Sequence, residues 1–304
     1  LGYEFKDSNN QQEQSSETHH IIRTEKKEPE LPEETITDKA IRTPEEIAEE
    51  QEFFKRCHQI FIDCLNDQGN EQVAFSLDYL KKERGYNDEQ IRSFKLGFFP
   101  DKDKFISLLA NSGYSQNEEE DLITKYFTAI LSNNKYQKEK ESKNRITFTW
   151  FDTNGNIIGF SARKATANEE LKPKYLNNNG LSKTEHLFNF TEDIIGKDIV
   201  VVEGQLDALV GTNFASQQEE TSNYHFVAIA GSSISESQIN YLKTHCYSKV
   251  ILLLDTDDAG KKGAKESAEK LLTQGVTAYI ASIPDSYQCK DIDELIKKYP
   301  DSID

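Results

Sequence analysis

From Asp198 onward the chain alternates short apolar runs with helical stretches, and acids follow directly on two of those runs. Strands are expected at 198–202, 225–230, 248–254 and 276–281, and helices at 205–212, 235–245, 259–273 and 291–298. Such alternation builds a parallel sheet flanked by helices, with ligands at the carboxyl ends of the strands. The acids stand at those ends. Glu203 follows Ile199 to Val202, and Asp207 lies one helical turn further on. Asp255 and Asp257 follow Val250 to Leu254, and Asp291 and Asp293 stand in Lys-Asp-Ile-Asp-Glu. Carboxylates crowded at one sheet edge repel each other and hold protons. A hard divalent cation, Mg²⁺ or Mn²⁺, relieves that conflict because it takes oxygen ligands and keeps water and substrate phosphates in its shell. Sites of this kind serve phosphoryl transfer.

Each motif has a plainer reading. Asp255-x-Asp257 puts two carboxylates on one side of the chain as it leaves a strand. They could simply cap the helix that Ala259-Gly260 opens, but Asp258 suffices for that. Glu203-Gly204 alone reads equally well as an acidic helix start. Asp291-x-Asp293 alone reads as favourable charge at a helix N-terminus. Only the combination points to a metal centre.

The upstream half follows a different pattern. Residues 1–43 are polar, without apolar periodicity, and are expected to be disordered or linker. Thr43-Pro44-Glu45-Glu46 marks a helix start, followed by an apolar stripe from Ile47 to Leu65. Further helices are expected at 72–83, 88–94, 103–110 and 118–124. Arg145 to Phe151 alternates, Asp152-Thr153-Asn154-Gly155 is a turn, and Ile157 to Ala162 returns, so a β-hairpin is expected. The expected fold class is therefore mixed α/β. A parallel-sheet domain (195–304) follows a smaller α+β subdomain (44–194).

The net charge of −17 argues against nucleic-acid binding over the whole surface. Its distribution is uneven: from Lys135 to Lys174 nine basic residues face five acidic ones. A polyanion is therefore expected at one place only. Arg145 and Arg163 bracket the hairpin. Lys172 and Lys174 follow, and Tyr175 offers a ring on which a base can stack. Lys135, Lys138, Lys140 and Lys143 read as solvated linker. Cys57, Cys64, Cys246 and Cys289 lack zinc spacing and are expected to be reduced thiols of a cytoplasmic protein. None of the six histidines, His19-His20 and His186 among them, pairs with a nucleophile, and no Walker A loop is present. No apolar run reaches the roughly 20 residues that span a bilayer. The chain contains no methionine, so residue 1 is expected not to be the natural start.

The order Glu203-Gly204-x-x-Asp207, Asp255-x-Asp257-x-Ala259-Gly260, Asp291-x-Asp293-Glu294 resembles the TOPRIM domain. The preceding segment sharpens the likeness. Tyr79-Leu80-x-x-x-Arg84-Gly85, Ile91-x-x-Phe94-x-Leu96-Gly97-Phe98, Arg145-Ile146-x-Phe148, Gly155-x-x-Ile158-Gly159-Phe160-x-x-Arg163 and Pro173-Lys174-Tyr175-Leu176-Asn177 look like the amino-terminal half of a bacterial DnaG-type primase catalytic core. The resemblance implies DNA-directed synthesis of short RNA primers on single-stranded DNA from ribonucleoside triphosphates. It makes Glu203 a general base or ligand, and Asp207 a supporting residue. Asp255, Asp257 and Asp291, with Asp293, would hold the divalent metals. Arg145, Arg163 and Lys174 would line the groove for template and nucleotide. A replicative helicase would be met through a region outside this chain, as would the zinc-binding domain of the family. Two departures stand out: Asn177-Asn178-Asn179 where Asn-Ser is usual, and Leu187-Phe188-Asn189-Phe190 where Phe-His-Lys is expected. The alternatives from the same residues are a metal-dependent nuclease on this fold, or a non-catalytic single-strand-binding module of a replication or mobilisation protein.

Overall fold

A computed structural model describes residues 43–300, apart from 68, 114–115, 132–144, 167–172, 192–193, 195 and 246–248. The expectations for 1–42, for the linker lysines 135–143, for Lys172, for His19-His20 and for Cys246 fall outside the described residues.

The chain opens with α1 (Pro44–Leu65), held by the capping box its sequence announces. The Thr43 hydroxyl accepts from the Glu46 amide, and the Glu46 carboxylate accepts from the Thr43 amide. Its apolar stripe buries Phe53, Phe54, Cys57, Ile60, Phe61, Cys64 and Leu65. α2 (Glu71–Asp78) then gives way to a wider π-helical turn at Tyr79–Glu83, where one helix was expected throughout. α3 (Asp88–Ser93), α4 (Lys102–Ala110) and α5 (Gln116–Leu131) follow, the last longer than its sequence pattern suggested.

The hairpin forms as expected from β2 (Arg145–Phe151) and β3 (Ile157–Lys164). Two short strands that the sequence did not mark flank it, β1 (Gly97–Phe98) and β4 (Tyr175–Asn177). The four make an antiparallel sheet in the order β1-β2-β3-β4. Phe53, Phe54, Phe61, Phe99, Phe105, Phe127 and Phe160 interlock beneath it in tilted and edge-on contacts.

The second sheet is wholly parallel, in the order β6-β5-β7-β8, from β5 (Asp198–Val202), β6 (Tyr224–Ala228), β7 (Val250–Leu252) and β8 (Ala278–Ile280). The connections are α6 (Gln205–Ser216), α7 (Glu236–His245) and α8 (Asp258–Thr273), and α9 (Ile292–Lys298) closes the described chain. This is the strand–helix alternation read from the sequence. β5 is buried along its whole length, as a strand covered on both faces must be.

One apolar cluster runs through both sheets. Phe148, Trp150 and Phe160 share it with Phe188, Val200, Val202, Leu206 and Leu209. The Trp150 indole N–H donates to the Ser161 hydroxyl at 2.8 Å, and the Gln205 side-chain amide approaches the same oxygen at 3.4 Å. The antiparallel sheet is thereby held against the loop that carries Glu203. Among the described residues no helix is long and apolar enough to cross a membrane.

Candidate metal and nucleic-acid site

The carboxyl ends of β5 and β7 and the start of α9 meet around a cavity of about 500 Å³. Glu203, Asp207, Asp255, Asp291 and Asp293 line it, and so do Arg84, Arg163, Lys174, Lys183, Lys290 and Lys297. Acids far apart in sequence thus share one cavity with six basic side chains.

Local structure explains each placement. β5 and β7 are paired in parallel, Val201 beside Leu252, so the residues just beyond them leave the sheet side by side. The Asp255 amide donates to the Glu203 carboxylate at 3.2 Å. Gly204 is the N-cap of α6, and a Cβ there would come within 2.5 Å of the Asp207 carboxylate, so glycine leaves that acid its place. The Asp293 amide in turn donates to Asp207 at 3.4 Å.

Two of the acids also cap helices. The Asp257 carboxylate accepts from the Gly260 amide at 2.8 Å and is the N-cap of α8. The sequence argument had reserved that task for Asp258, which instead sits inside the helix. Asp257 is exposed and lies outside the residues lining the cavity. Asp291 caps α9 through the Glu294 amide at 2.8 Å. Asp293 is 3% exposed, and both of its oxygens are engaged. The Arg84 guanidinium lies at 2.5 Å and the Tyr86 hydroxyl donates at 2.6 Å.

The crowding shows in the protonation of the acids. Burial, reinforced by the Asp255 charge, raises Glu203 to about 7. Burial and Asp291 raise Asp255 to about 6. Asp207 is pushed well above the carboxylate range by burial and by Asp291, Asp293 and Asp255. Asp291 is raised too, chiefly by burial. The Lys290 ammonium sits 3.9 Å from Asp255 and 3.8 Å from Asp291, so a cation already bridges two of the acids.

Among the described residues no three acids, histidines or cysteines are placed to ligate one ion as they stand. The donor chemistry nevertheless fits a hard divalent cation. All the donors are carboxylate oxygens, they repel each other, and no sulfur or imidazole competes.

The basic residues divide. Arg163 and Lys174 line the cavity, whereas Arg145 does not. Arg145 is 5% exposed and donates to the Ala162 carbonyl at 3.2 Å. Burial lowers its guanidinium to about 10, still charged at neutral pH. The resemblance placed Arg145 in the groove for template and nucleotide, and it lies outside the residues lining this cavity. Arg163 is 3% exposed, donates to the Tyr79 hydroxyl and lies by the Tyr79 and Tyr175 rings. The Tyr175 ring, which the sequence offered to a base, therefore carries a guanidinium. Burial raises its hydroxyl to about 12.

Four basic residues of the cavity are not among the site candidates of the sequence: Arg84, Lys183, Lys290 and Lys297. Arg84 had appeared only within a family motif. Lys183 donates to the Ala230 carbonyl at 2.8 Å. Only Lys290, next to Asp291, carried a sequence signal.

Comparison with known proteins matches residues 60–193 to the family described as DNA primase catalytic core, N-terminal domain, and residues 200–296 to the Toprim-like family. A DNA primase of Staphylococcus epidermidis is 30% identical over 234 residues, 74% of this chain and 36% of that protein. One from Clostridium acetobutylicum is 31% identical over 225 residues, 71% of this chain and 34% of that protein. The chain thus spans about a third of the length of these curated relatives. The crystal structure of the zinc-binding and RNA polymerase domains of Aquifex aeolicus primase superposes with a TM-score of 0.62 at 26% identity, covering 85% of this chain and 59% of that one. A DnaG primase catalytic domain bound to single-stranded DNA gives 0.58 at 23% identity, covering 82% and 74%, a likeness of fold.

Proposed function

This chain belongs to the DnaG-type primase family, carrying the amino-terminal domain of the catalytic core and the Toprim-like domain after it, and we propose from this that it joins ribonucleotides into short primers on single-stranded DNA. The reading is carried by one observation: acids from the ends of β5 and β7 and the start of α9 share a cavity with Arg163, Lys174 and Lys183.

The 3′-hydroxyl of the growing strand attacks the α-phosphate of a ribonucleoside triphosphate. A P–O bond forms, the bond to pyrophosphate breaks, and the hydroxyl proton leaves. Glu203, held near 7, has the proton affinity of a general base at neutral pH. The carboxylates of Glu203, Asp255 and Asp291, which line the cavity, would hold Mg²⁺ or Mn²⁺. Such ions lower the pKa of the attacking hydroxyl and offset charge on the leaving pyrophosphate. Lys174 and Lys183, which line the same cavity, meet the phosphates, and the buried Arg163 guanidinium adds positive charge beside them. The protein contributes mainly placement and charge.

The test is incubation with single-stranded DNA, labelled ribonucleotides and Mg²⁺ or Mn²⁺. Products longer than the starting nucleotides, lost with chelator and in Glu203→Gln, are expected. Fragmented DNA without extension assigns the same acids to strand cleavage and overturns the reading. Loss of single-strand binding in Lys174→Ala, with Glu203→Gln silent in every assay, leaves only a binding module.

A further inference from the structure

Asp293 occupies a place unlike the other acids. Its two oxygens are taken by Arg84 and Tyr86, residues of the amino-terminal subdomain more than two hundred positions away in sequence. A metal ligand facing a guanidinium at 2.5 Å would set a dication beside a fixed positive charge. That charge pattern suits an anchor better than a ligand.

The π-helical turn at 79–83 makes the anchor possible. Residues five apart on an α-helix are roughly 140° apart around its axis and face different ways. In the wider turn the Arg84 amide bonds to the Tyr79 carbonyl, which brings both side chains to one side. The Tyr79 hydroxyl then accepts from Arg84 Nε at 2.7 Å and also from Arg163. Arg84 is held at Nε by Tyr79 and at Nη1 by Asp293, so its direction is determined at both ends.

A second contact follows the same line. Lys297, one turn beyond Asp293 on the same face of α9, donates to the Glu83 carbonyl at the end of the π turn. On the other side, the Asp293 amide touches Asp207. The start of α9, which also presents Asp291, is thereby tied to the subdomain that carries Arg163.

We propose that Arg84, Tyr86 and Asp293 form a latch that sets the position of the acid cluster relative to Arg163 and Lys174 of the amino-terminal subdomain, with Asp293 a positioning residue and not a metal ligand. The inference rests on the acids being a metal site, and it is tested by readouts that separate the two ideas. Mn²⁺ binding is followed by electron paramagnetic resonance, and kcat and KM for ribonucleotide are measured alongside thermal unfolding. Asp293→Asn and Tyr86→Phe are expected to leave Mn²⁺ affinity near wild type while lowering kcat by about tenfold or more. Asp255→Asn, the control, weakens Mn²⁺ binding by about tenfold or more.

Arg84→Gln leaves the buried Asp293 carboxylate without its guanidinium, Asp293→Asn leaves Arg84 without its carboxylate, and each lowers the melting temperature. The double variant has no lone charge and recovers melting temperature while kcat stays low. A purely structural pair would recover both, and that result overturns the proposal. So does a loss of Mn²⁺ affinity in Asp293→Asn equal to that in Asp255→Asn. If Asp255→Asn leaves Mn²⁺ binding untouched, the metal reading falls. The latch is then judged on the thermal coupling of Arg84 and Asp293, and additive melting effects overturn it. Where Asp293→Asn fails to fold, Tyr86→Phe, which removes one oxygen, carries the same comparison.

Discussion

At the scale of single residues, the proposed chemistry rests on Glu203 and Asp255. They touch through the Asp255 amide, and burial with the other acids around the cavity raises the proton affinity of each, so that Glu203 and Asp255 lose their protons only at about 7 and about 6. A cation must displace those protons, so metal affinity should rise with pH through about 6 to about 7. Calorimetry in buffers of different ionisation enthalpy should show proton release on Mn²⁺ binding, largest at the acid end of that range. Asp255→Asn removes one titrating acid, and the release should shrink with it. Glu203→Gln keeps shape and loses charge. Primer synthesis should fall by roughly a hundredfold or more, about 3 kcal/mol of transition-state stabilisation, with the fold unchanged by circular dichroism.

At the scale of elements, the N-terminus of α8 fixes the second acid. A Cβ on Gly260 would come within 2.1 Å of the Asp255 carbonyl, so helix and strand end are in backbone contact. Gly260→Ala should push Asp255 out of place, costing about 1–3 kcal/mol in denaturant unfolding and weakening Mn²⁺ binding together. Asp257→Ala separates the two roles of that residue. Loss of the cap alone costs about 1 kcal/mol of stability. A concurrent fall in Mn²⁺ affinity would show that its carboxylate also serves the ion.

At the scale of the whole molecule, the acid cluster sets how stability varies with pH. Glu203 and Asp255 have raised values in the fold, so the native state binds more protons than the unfolded chain, and stability falls as pH rises through about 7 and about 6. Half-buried His58, drawn down to about 4, acts oppositely between that value and its ordinary 6.5. Above 6.5 the acids act without it. The melting temperature of metal-free protein should therefore drop from about pH 6.5 to about pH 8, and added Mg²⁺ should offset the drop. A flat profile above 6.5 in thermal scans would contradict the clustering. The net charge of −17 adds self-repulsion in the same direction.

The parallel sheet, the hairpin and the position of the acids at strand ends were legible from residue order alone. Strand period, helix caps and turn residues are local properties, and Val200 or Thr43 carries its signal wherever the chain goes. The family likeness extended that reading to Glu203, Asp207, Asp255, Asp257, Asp291 and Asp293 as a set. Orientation was not legible. Arg145 and Arg163 look alike in sequence at the two ends of a hairpin, yet only Arg163 reaches the cavity. Asp257 and Asp258 look interchangeable as caps, and backbone geometry chose Asp257. Asp291 and Asp293 form one motif, but packing against Arg84 and Tyr86 separates them. Lys183 and Arg84 come to the cavity from remote segments. Local sequence specifies which element forms and what charge it carries. The direction of a side chain and the identity of its partner arise only when elements pack, because buried polar groups must find their hydrogen bonds among whatever residues the fold brings near.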